Sequence, residues 1–416
     1  MWEASNRAGT VLSVVTGIAL LAQSIYVVRI ATWLTFLCSI WSILTAPAIR
    51  FDIHWRSILI YTINFVLSVI CIVELTQNNE IFTNSFCIGY GIVVLVISII
   101  TVSLYYILPL PGRSILHGKY KKIGTTSFNV EVDIDDVKSI TIQCWFPLEN
   151  TTVVNTISTA LLWTSGHPEH QIQESVDMIK TLASNNKLPL FSMKHLLMAR
   201  TNSHWQDSFE NLAMKSDVNN NNEKYPIAIY SHGLWGWRQI HHSACENLAS
   251  SGFIVFACDH TPDSMCSRPL RGLAQRFAFP TPPNLPPEVE RKFFQGGMER
   301  RIQQLTQIIT HIQTKEFLNT HNLMNKLDYH NIHLWGHSYG GGTISALSCR
   351  NTTTSTADTS TFHIRSAVML DGWIYPVPDP DRKRGFRNTT ALLNLSAELW
   401  PFGKVRIECL YIVLYV

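Results

Sequence analysis

Charge is scarce in this sequence. Only 15% of its 416 residues are Asp, Glu, Lys or Arg, and 33 basic against 30 acidic side chains leave a formal net charge of +3. So small and dispersed an excess gives no electrostatic footprint for nucleic acid, which is excluded as a partner. Paired cysteines are also missing. The nine cysteines (Cys38, Cys71, Cys87, Cys144, Cys245, Cys258, Cys266, Cys349 and Cys409) show no C-x-x-C and no Cys/His alternation. No metal site and no cofactor is expected from them, and they read as isolated thiols. No internal repeat is visible. Histidine is plentiful at 16 residues, yet none follows His363.

What is abundant is apolar sequence, 46% of the whole, and it is unevenly placed. Residues 10 to 109 hold most of the excess, so residues 1–110 are expected to form an all-α transmembrane region ahead of a globular domain. Spans are legible at Thr10 to Val28, Ile30 to Ile49, Ser57 to Leu75 and Cys87 to Leu108, each near the roughly 20 residues that cross a bilayer. Only Arg29 interrupts the stretch from Thr10 to Ile49, which is either a hairpin turning within Ser24 to Ala31 or one long kinked segment. A cleaved signal peptide fits poorly, because the apolar region is too long and lacks a basic start. Arg50, Arg56, Arg113, Lys119, Lys121 and Lys122 fall on one side of the expected membrane, and the Thr76 to Phe86 loop between them carries Glu80 and no Lys or Arg. The positive-inside rule then predicts an integral membrane protein with its large domain on the cytoplasmic side. Its thiols should stay reduced there, and the sequons at Asn150, Asn351, Asn388 and Asn394 unused.

From Val130 onward, strand-like and helix-like stretches alternate, the pattern of a mostly parallel sheet flanked by helices. Strands are expected at Ile140 to Phe146, Ile227 to Tyr230, Phe253 to Ala257, Ile332 to Trp335, Ala367 to Leu370 and Leu392 to Leu395. Leu161 to Lys224 reads as an insertion with helical periodicity, ending in the polar run Asn219 to Asn222. Its stretch Leu188 to Met214 carries a stripe that either covers the core or docks on a bilayer. Pro280, Pro282, Pro283, Pro286 and Pro287 mark an irregular crossing before a helix over Pro287 to Thr314.

The chemistry is concentrated at Gly336-His337-Ser338-Tyr339-Gly340. A strand that runs into G-x-S-x-G and continues as a small-residue helix, here Gly341-Gly342-Thr343-Ile344-Ser345-Ala346, is the nucleophile elbow of an α/β-hydrolase. Ser338 is the expected nucleophile, and Gly336 and Gly340 are the elbow glycines. Acyl transfer puts a negative charge on the carbonyl oxygen, so two backbone N–H groups must be aimed at it. Tyr339, the residue after the nucleophile, is expected to supply one. Leu234, in the loop after Pro226 to Ile229, is expected to supply the other, unless that loop is an ordinary strand-to-helix turn. Asp371, at the end of Ala367 to Leu370, is the expected acid. Asp379 and Asp381, in a Pro-rich turn, more simply shape that turn. In this fold the order is Ser, acid, His, and no histidine stands after Asp371. His232, His260 and His337 read as structural. The expectation is therefore of a hydrolase domain over 118–403 that stops short of its histidine loop, followed by an atypical tail at 404–416.

Together, Tyr230-Ser231-His232-Gly233-Leu234, Leu248 to Val255, Gly336 to Gly341 and Leu370-Asp371-Gly372-Trp373 resemble the platelet-activating factor acetylhydrolases of the plasma and type II intracellular kind. The resemblance runs from about Gly118 to Gly403. It implies an esterase that removes short or oxidised acyl groups from the sn-2 position of phospholipids without metal or calcium, with Ser338, Asp371, Leu234 and Tyr339 in the roles above. His260-Thr261-Pro262-Asp263-Ser264 matches the family's H-R-D-x-S only in part, and the family's C-terminal histidine has no counterpart. Several N-terminal spans depart from the family's secreted or lipid-anchored pattern, and Trp2 excludes N-myristoylation. Two other readings remain open: a broader carboxylesterase of the same fold, and an inactive chain with a structural or lipid-binding role.

Overall fold

The computed structural model describes residues 115–149, 159–193, 196–197, 199–213, 224–267, 275–276, 285–351, 362–385 and 390–395. The four expected spans, the Asn219 to Asn222 run and the 404–416 tail lie outside the described residues. Among the described residues no helix is long and apolar enough to cross a membrane.

In chain order the elements are β1 (Ile123–Ile134), β2 (Val137–Pro147), β3 (Thr159–Leu161), α1 (Gln171–Asn185), α2 (Leu190–Met193), β4 (Arg200–Trp205), β5 (Tyr225–Ser231), α3 (His242–Ser250) and β6 (Ile254–Cys258). There follow β7 (Cys266–Ser267), β8 (Gln275–Arg276), α4 (Pro287–His311), α5 (Lys315–Thr320), β9 (Leu327–His337), α6 (Tyr339–Arg350), β10 (Ile364–Leu370), α7 (Asp379–Arg384) and β11 (Ala391–Leu395). Nine strands form one sheet in the order β11-β10-β9-β5-β6-β2-β1-β4-β3, and β7 and β8 pair separately. From β11 to β6 every neighbouring pair is parallel. The β6–β2, β2–β1 and β4–β3 pairs are antiparallel, and β1 runs parallel to β4.

A parallel sheet is covered on both faces, so its strands are apolar throughout and alternate residues enter different cores. Ile227 and Ile229 of β5, Ile254 and Phe256 of β6 and Ile332 and Leu334 of β9 point to one side, where they meet Phe294, Met298, Ile302, Leu305 and Ile308 of α4 and Ile344 and Leu347 of α6. Ala228 and Tyr230, Val255 and Ala257, and Trp335 point to the other side, with Cys245 and Ala249 of α3. α4 starts with Pro287 in its first turn beside Glu288 and Glu290 and ends on His311, as the helix dipole favours. Its last turn stops short of the expected Thr314, because that hydroxyl accepts from the Phe317 amide at 3.2 Å and caps α5 instead.

The six expected strands are all present, most of them longer by a few residues than their apolar runs. The expected helical insertion is only half helical. α1 and α2 occupy its first part, but Arg200–Trp205 is a strand of the main sheet and lies within the stripe Leu188 to Met214. Its polar sequence is accommodated by Glu246 of α3, a fully buried carboxylate that accepts from the Asn202 amide at 2.8 Å and from Ser203 Oγ at 2.5 Å. The basic run near Lys119 also has a local use, since Lys121 Nζ donates to the carbonyls of Leu116 and Gly118. Cys144, Cys245, Cys258, Cys266 and Cys349 are buried.

Candidate active site

β9 leaves the sheet at His337, and α6 begins two residues later. Ser338 between them has φ 52° and ψ −117°, a conformation an L-residue keeps only when its surroundings impose it. The surroundings here are backbone. A Cβ on Gly336 would lie 2.5 Å from the Gly340 carbonyl oxygen, and one on Gly340 would lie 2.1 Å from that of Ser231. Glycine is therefore required at both expected elbow positions for strand, turn and helix to close on one another. The Ser338 amide donates to the Leu370 carbonyl at 2.9 Å, and its own carbonyl accepts from Gly342 and Trp373. Serine before a helix usually caps it, but the Ser338 side chain makes no cap hydrogen bond. The hydroxyl is not spent on the helix. Tyr339 is the first residue of α6, where an amide has no carbonyl one turn back within the helix.

The sheet brings Asp371 to the same level. β9 and β10 pair in parallel with His337 opposite Leu370, so the next residues, Ser338 and Asp371, leave adjacent strand ends side by side. Asp371 also has positive φ, at 53°, and its amide donates to the Leu395 carbonyl at 2.6 Å. The loop carrying Leu234 comes from β5, the other neighbour of β9. It touches the elbow, since a Cβ on Gly233 would lie 3.0 Å from His337 Nδ1 and 3.3 Å from Ser338 Cβ. All six expected site residues, Ser338, Asp371, Leu234, Tyr339, Gly336 and Gly340, thus meet at one end of three adjacent strands.

Two of the three histidines nearby are engaged in other hydrogen bonds. His232 Nε2 accepts from the His260 amide at 3.1 Å and from Ser264 Oγ at 2.8 Å, so the proton sits on Nδ1, which donates to the Gly233 carbonyl at 2.7 Å. His260 Nδ1 donates to Gln304 Oε1 at 2.9 Å, because the Gln304 amide nitrogen is donating to the Thr261 carbonyl; its Nε2 then accepts from Ser231 Oγ. Burial, with the Arg301 charge second, holds both imidazoles well below their ordinary pKa. His337 is part of the elbow itself, with its ring 4.9 Å from that of His241; burial lowers its pKa and the Asp371 carboxylate partly offsets that. None of the three is hydrogen-bonded to Ser338 Oγ.

His241 sets a pH dependence. Its Nδ1 is bonded to the Tyr230 hydroxyl, and burial, followed by repulsion from His337 and His242, brings its pKa to about 4. An unfolded histidine titrates near 6.5. Between these values the unfolded chain binds a proton that the folded chain refuses, so stability is full above about pH 6.5 and falls as pH drops toward 4. His232 and His260 act with the same sign. Urea midpoints are expected to fall steadily from pH 7 to pH 5, and a midpoint that stays level would contradict this burial.

Sequence reasoning missed Arg301 and its ion pair with Asp263, which it met only within the His260 to Ser264 motif. The signal was present: Arg301 interrupts the apolar stripe Phe294, Met298, Leu305, Ile308 of a recognised helix, where a charge must find a buried partner. Among the described residues one group could offer metal ligands. His167, Glu169 and His170 place one ligand atom each within 4.8 Å of one another. That turn precedes α1, whose positive N-terminal dipole disfavours a cation, and His167 Nδ1 already accepts from the Glu169 amide.

A strained serine between a central parallel strand and a small-residue helix, with a carboxylate at the end of the next strand, defines an α/β-hydrolase-like fold with an esterase-type elbow. Within that class the chain is similar to the platelet-activating factor acetylhydrolases, the resemblance that its motifs indicated. The family model of platelet-activating factor acetylhydrolase, isoform II, matches residues 187–270 and 300–400. The chain is 25% identical over 211 residues to the platelet-activating factor acetylhydrolase of Gallus gallus, covering 45% of this chain and 47% of that protein. To that of Cavia porcellus it is 28% identical over 169 residues, covering 37% and 36%. The chain thus spans less than half the length of these curated relatives. Among solved structures, a ferulic acid esterase from Streptomyces cinnamoneus aligns with TM-score 0.43 at 14% identity, over 68% of this chain and 76% of that one.

Proposed function

We propose that this chain is a serine-dependent carboxylic ester hydrolase that removes short or oxidised acyl groups from the sn-2 position of phospholipids. The observation that carries the reading is the Ser338 elbow, where a hydroxyl left out of helix capping is held in strained backbone. Ser338 Oγ attacks the ester carbonyl while a general base, which no described histidine hydrogen-bonded to Ser338 supplies, takes its proton and returns it to the departing lysophospholipid oxygen. The amides of Leu234 and Tyr339 bind the oxyanion, and the intermediate collapses to an acyl-serine and a lysophospholipid. Water then releases the acid by the same path in reverse. Asp371, at the neighbouring strand end, is the acid that would orient such a base. Trp373, which donates to the Ser338 carbonyl, packs on Phe294, and the exposed side chains of Val289, Phe293 and Ile374 continue an apolar border suited to a lipid. An integral anchor in residues 10–108, with this domain on the cytoplasmic side, would present the site to lipid at high effective concentration.

The expected result is release of acetate from 1-alkyl-2-acetylglycerophosphocholine in the presence of EDTA, roughly tenfold or more faster than release of palmitate from the long-chain analogue. Equal rates on simple acetyl esters and on the phospholipid would favour a broader carboxylesterase. Loss of turnover in EDTA would end the metal-free reading. A second reading, an inactive lipid-binding chain, is favoured by one observation: no histidine among the described residues is hydrogen-bonded to Ser338 Oγ. Absence of turnover on every ester would establish it.

A further inference from the structure

The loop carrying Leu234 is held from behind by one guanidinium. Arg301, in the middle of α4, is completely buried. Its Nε donates to Asp263 Oδ2 at 3.0 Å, its Nη1 to the His232 carbonyl at 2.6 Å and its Nη2 to the Gly233 carbonyl at 3.4 Å. The same group stacks on the Tyr339 ring, 4.6 Å from its centroid. The Tyr339 hydroxyl in turn donates to the Phe294 carbonyl of α4 and fits there because residue 297 is glycine, where a Cβ would come within 2.8 Å of it. A buried arginine must have its charge paired and its donors used. Asp263 pairs the charge through Nε, and each of the two terminal nitrogens donates to one of the carbonyls that precede Leu234.

Those carbonyls determine where the amides point. A trans peptide directs its C=O and N–H in opposite directions, and the Gly233 carbonyl belongs to the same peptide unit as the Leu234 N–H. Its oxygen accepts from His232 Nδ1 at 2.7 Å and from the Gly236 amide at 3.0 Å as well as from Arg301. Three donors on the oxygen fix the Leu234 N–H on the far side of the peptide, away from α4. Donation to a carbonyl also polarises the peptide and makes its N–H a stronger donor.

We infer that Arg301 is the positioning residue of the oxyanion site, aligning both of its amides at once: Leu234 through the carbonyls behind it and Tyr339 through the ring that anchors the start of α6. This rests on the reading of Ser338 as an acyl-transfer nucleophile. Arg301 touches neither substrate nor reacting atoms. Lysine at this position would keep a charge for Asp263 but lacks the planar fork that serves two carbonyls and stacks on an aromatic ring.

The test uses the full chain, its active serines counted by fluorophosphonate titration and its fold checked by thermal melting. In Arg301→Lys, kcat per titrated serine for an acetyl ester should fall roughly tenfold to a hundredfold while KM stays within about twofold, because an interaction made only in the transition state is weakened. Affinity for a trifluoromethyl ketone should fall by the same factor as kcat/KM, since both place negative charge on that oxygen. A folded Arg301→Lys protein with unchanged kcat and ketone affinity would overturn the inference and leave Arg301 a structural ion pair. Should that variant not fold, Asp263→Asn, which loosens the guanidinium while leaving it in place, must show the same kcat-selective loss, and unchanged kcat there overturns the inference equally. An unlabelled, inactive wild type is a different outcome, in which the Ser338 reading fails and takes this inference with it.

Discussion

Replacing Ser338 with alanine is expected to abolish covalent labelling by a fluorophosphonate and to lower ester turnover by about four orders of magnitude or more. The size follows from the division of labour at the site. Without the hydroxyl no acyl-enzyme can form, and what survives is the aid that the oxyanion amides and binding surface give to direct attack by water. The structure also predicts what should not change. The Ser338 side chain makes no cap hydrogen bond, so removing one oxygen should shift stability by no more than about 0.5 kcal/mol. A Ser338→Ala protein that melts like the wild type and is silent to the probe would show that the loss is chemical. Labelling that persists would place the reactive residue elsewhere, and wild-type protein that never labels would remove the serine mechanism altogether.

Much of this site was legible in the sequence because its parts are imposed by backbone geometry. Gly336 and Gly340 cannot be other residues where strand, turn and helix are this close, so the elbow is written as a short string. β5, β6, β9 and β10 were legible for a related reason, since strands buried on both faces must be continuous short apolar runs between turn residues. β4 was not, because Arg200–Trp205 takes polar side chains to a carboxylate on a helix about forty residues further on, and no local period records that. β1 was not among the expected strands, because its threonines and alternating polar residues form no continuous apolar run and their partners lie in β2. Arg301 was recognisable only as an oddity on an apolar stripe. Its meaning depends on Asp263 and on two carbonyls from another segment, contacts that have no sequence spacing of their own. The candidate acid was found through its strand, and the parallel register then placed Asp371 beside Ser338. The fold thus carried the pattern of the elbow openly and concealed the ionic support behind it.

Gly340→Ala is expected to have the second large effect, through packing instead of chemistry. An alanine Cβ there would stand 2.1 Å from the Ser231 carbonyl oxygen, 2.6 Å from the Ser231 carbonyl carbon and 2.6 Å from the His232 carbonyl oxygen. These are backbone atoms at the end of a central strand, so no side-chain rotation can relieve the clash, and α6 must move off β5. Overpacking of this kind costs about 1–3 kcal/mol when a core can adjust and more when it cannot, and here the helix that moves carries the Tyr339 amide while the carbonyls that resist end β5 and open the loop of Leu234. Stability and turnover should therefore fall together: a lower melting temperature, less folded protein, and a kcat per titrated serine below wild type in whatever remains folded. Gly296→Ala supplies the contrast. That glycine is exposed in the middle of α4 and a Cβ would meet nothing within 4 Å. There the same substitution should raise stability by about 0.5–1 kcal/mol through lower unfolded-state entropy and leave kcat alone. If Gly340→Ala instead melted and turned over like Gly296→Ala, the close approach of α6 to β5 could not be what shapes the elbow.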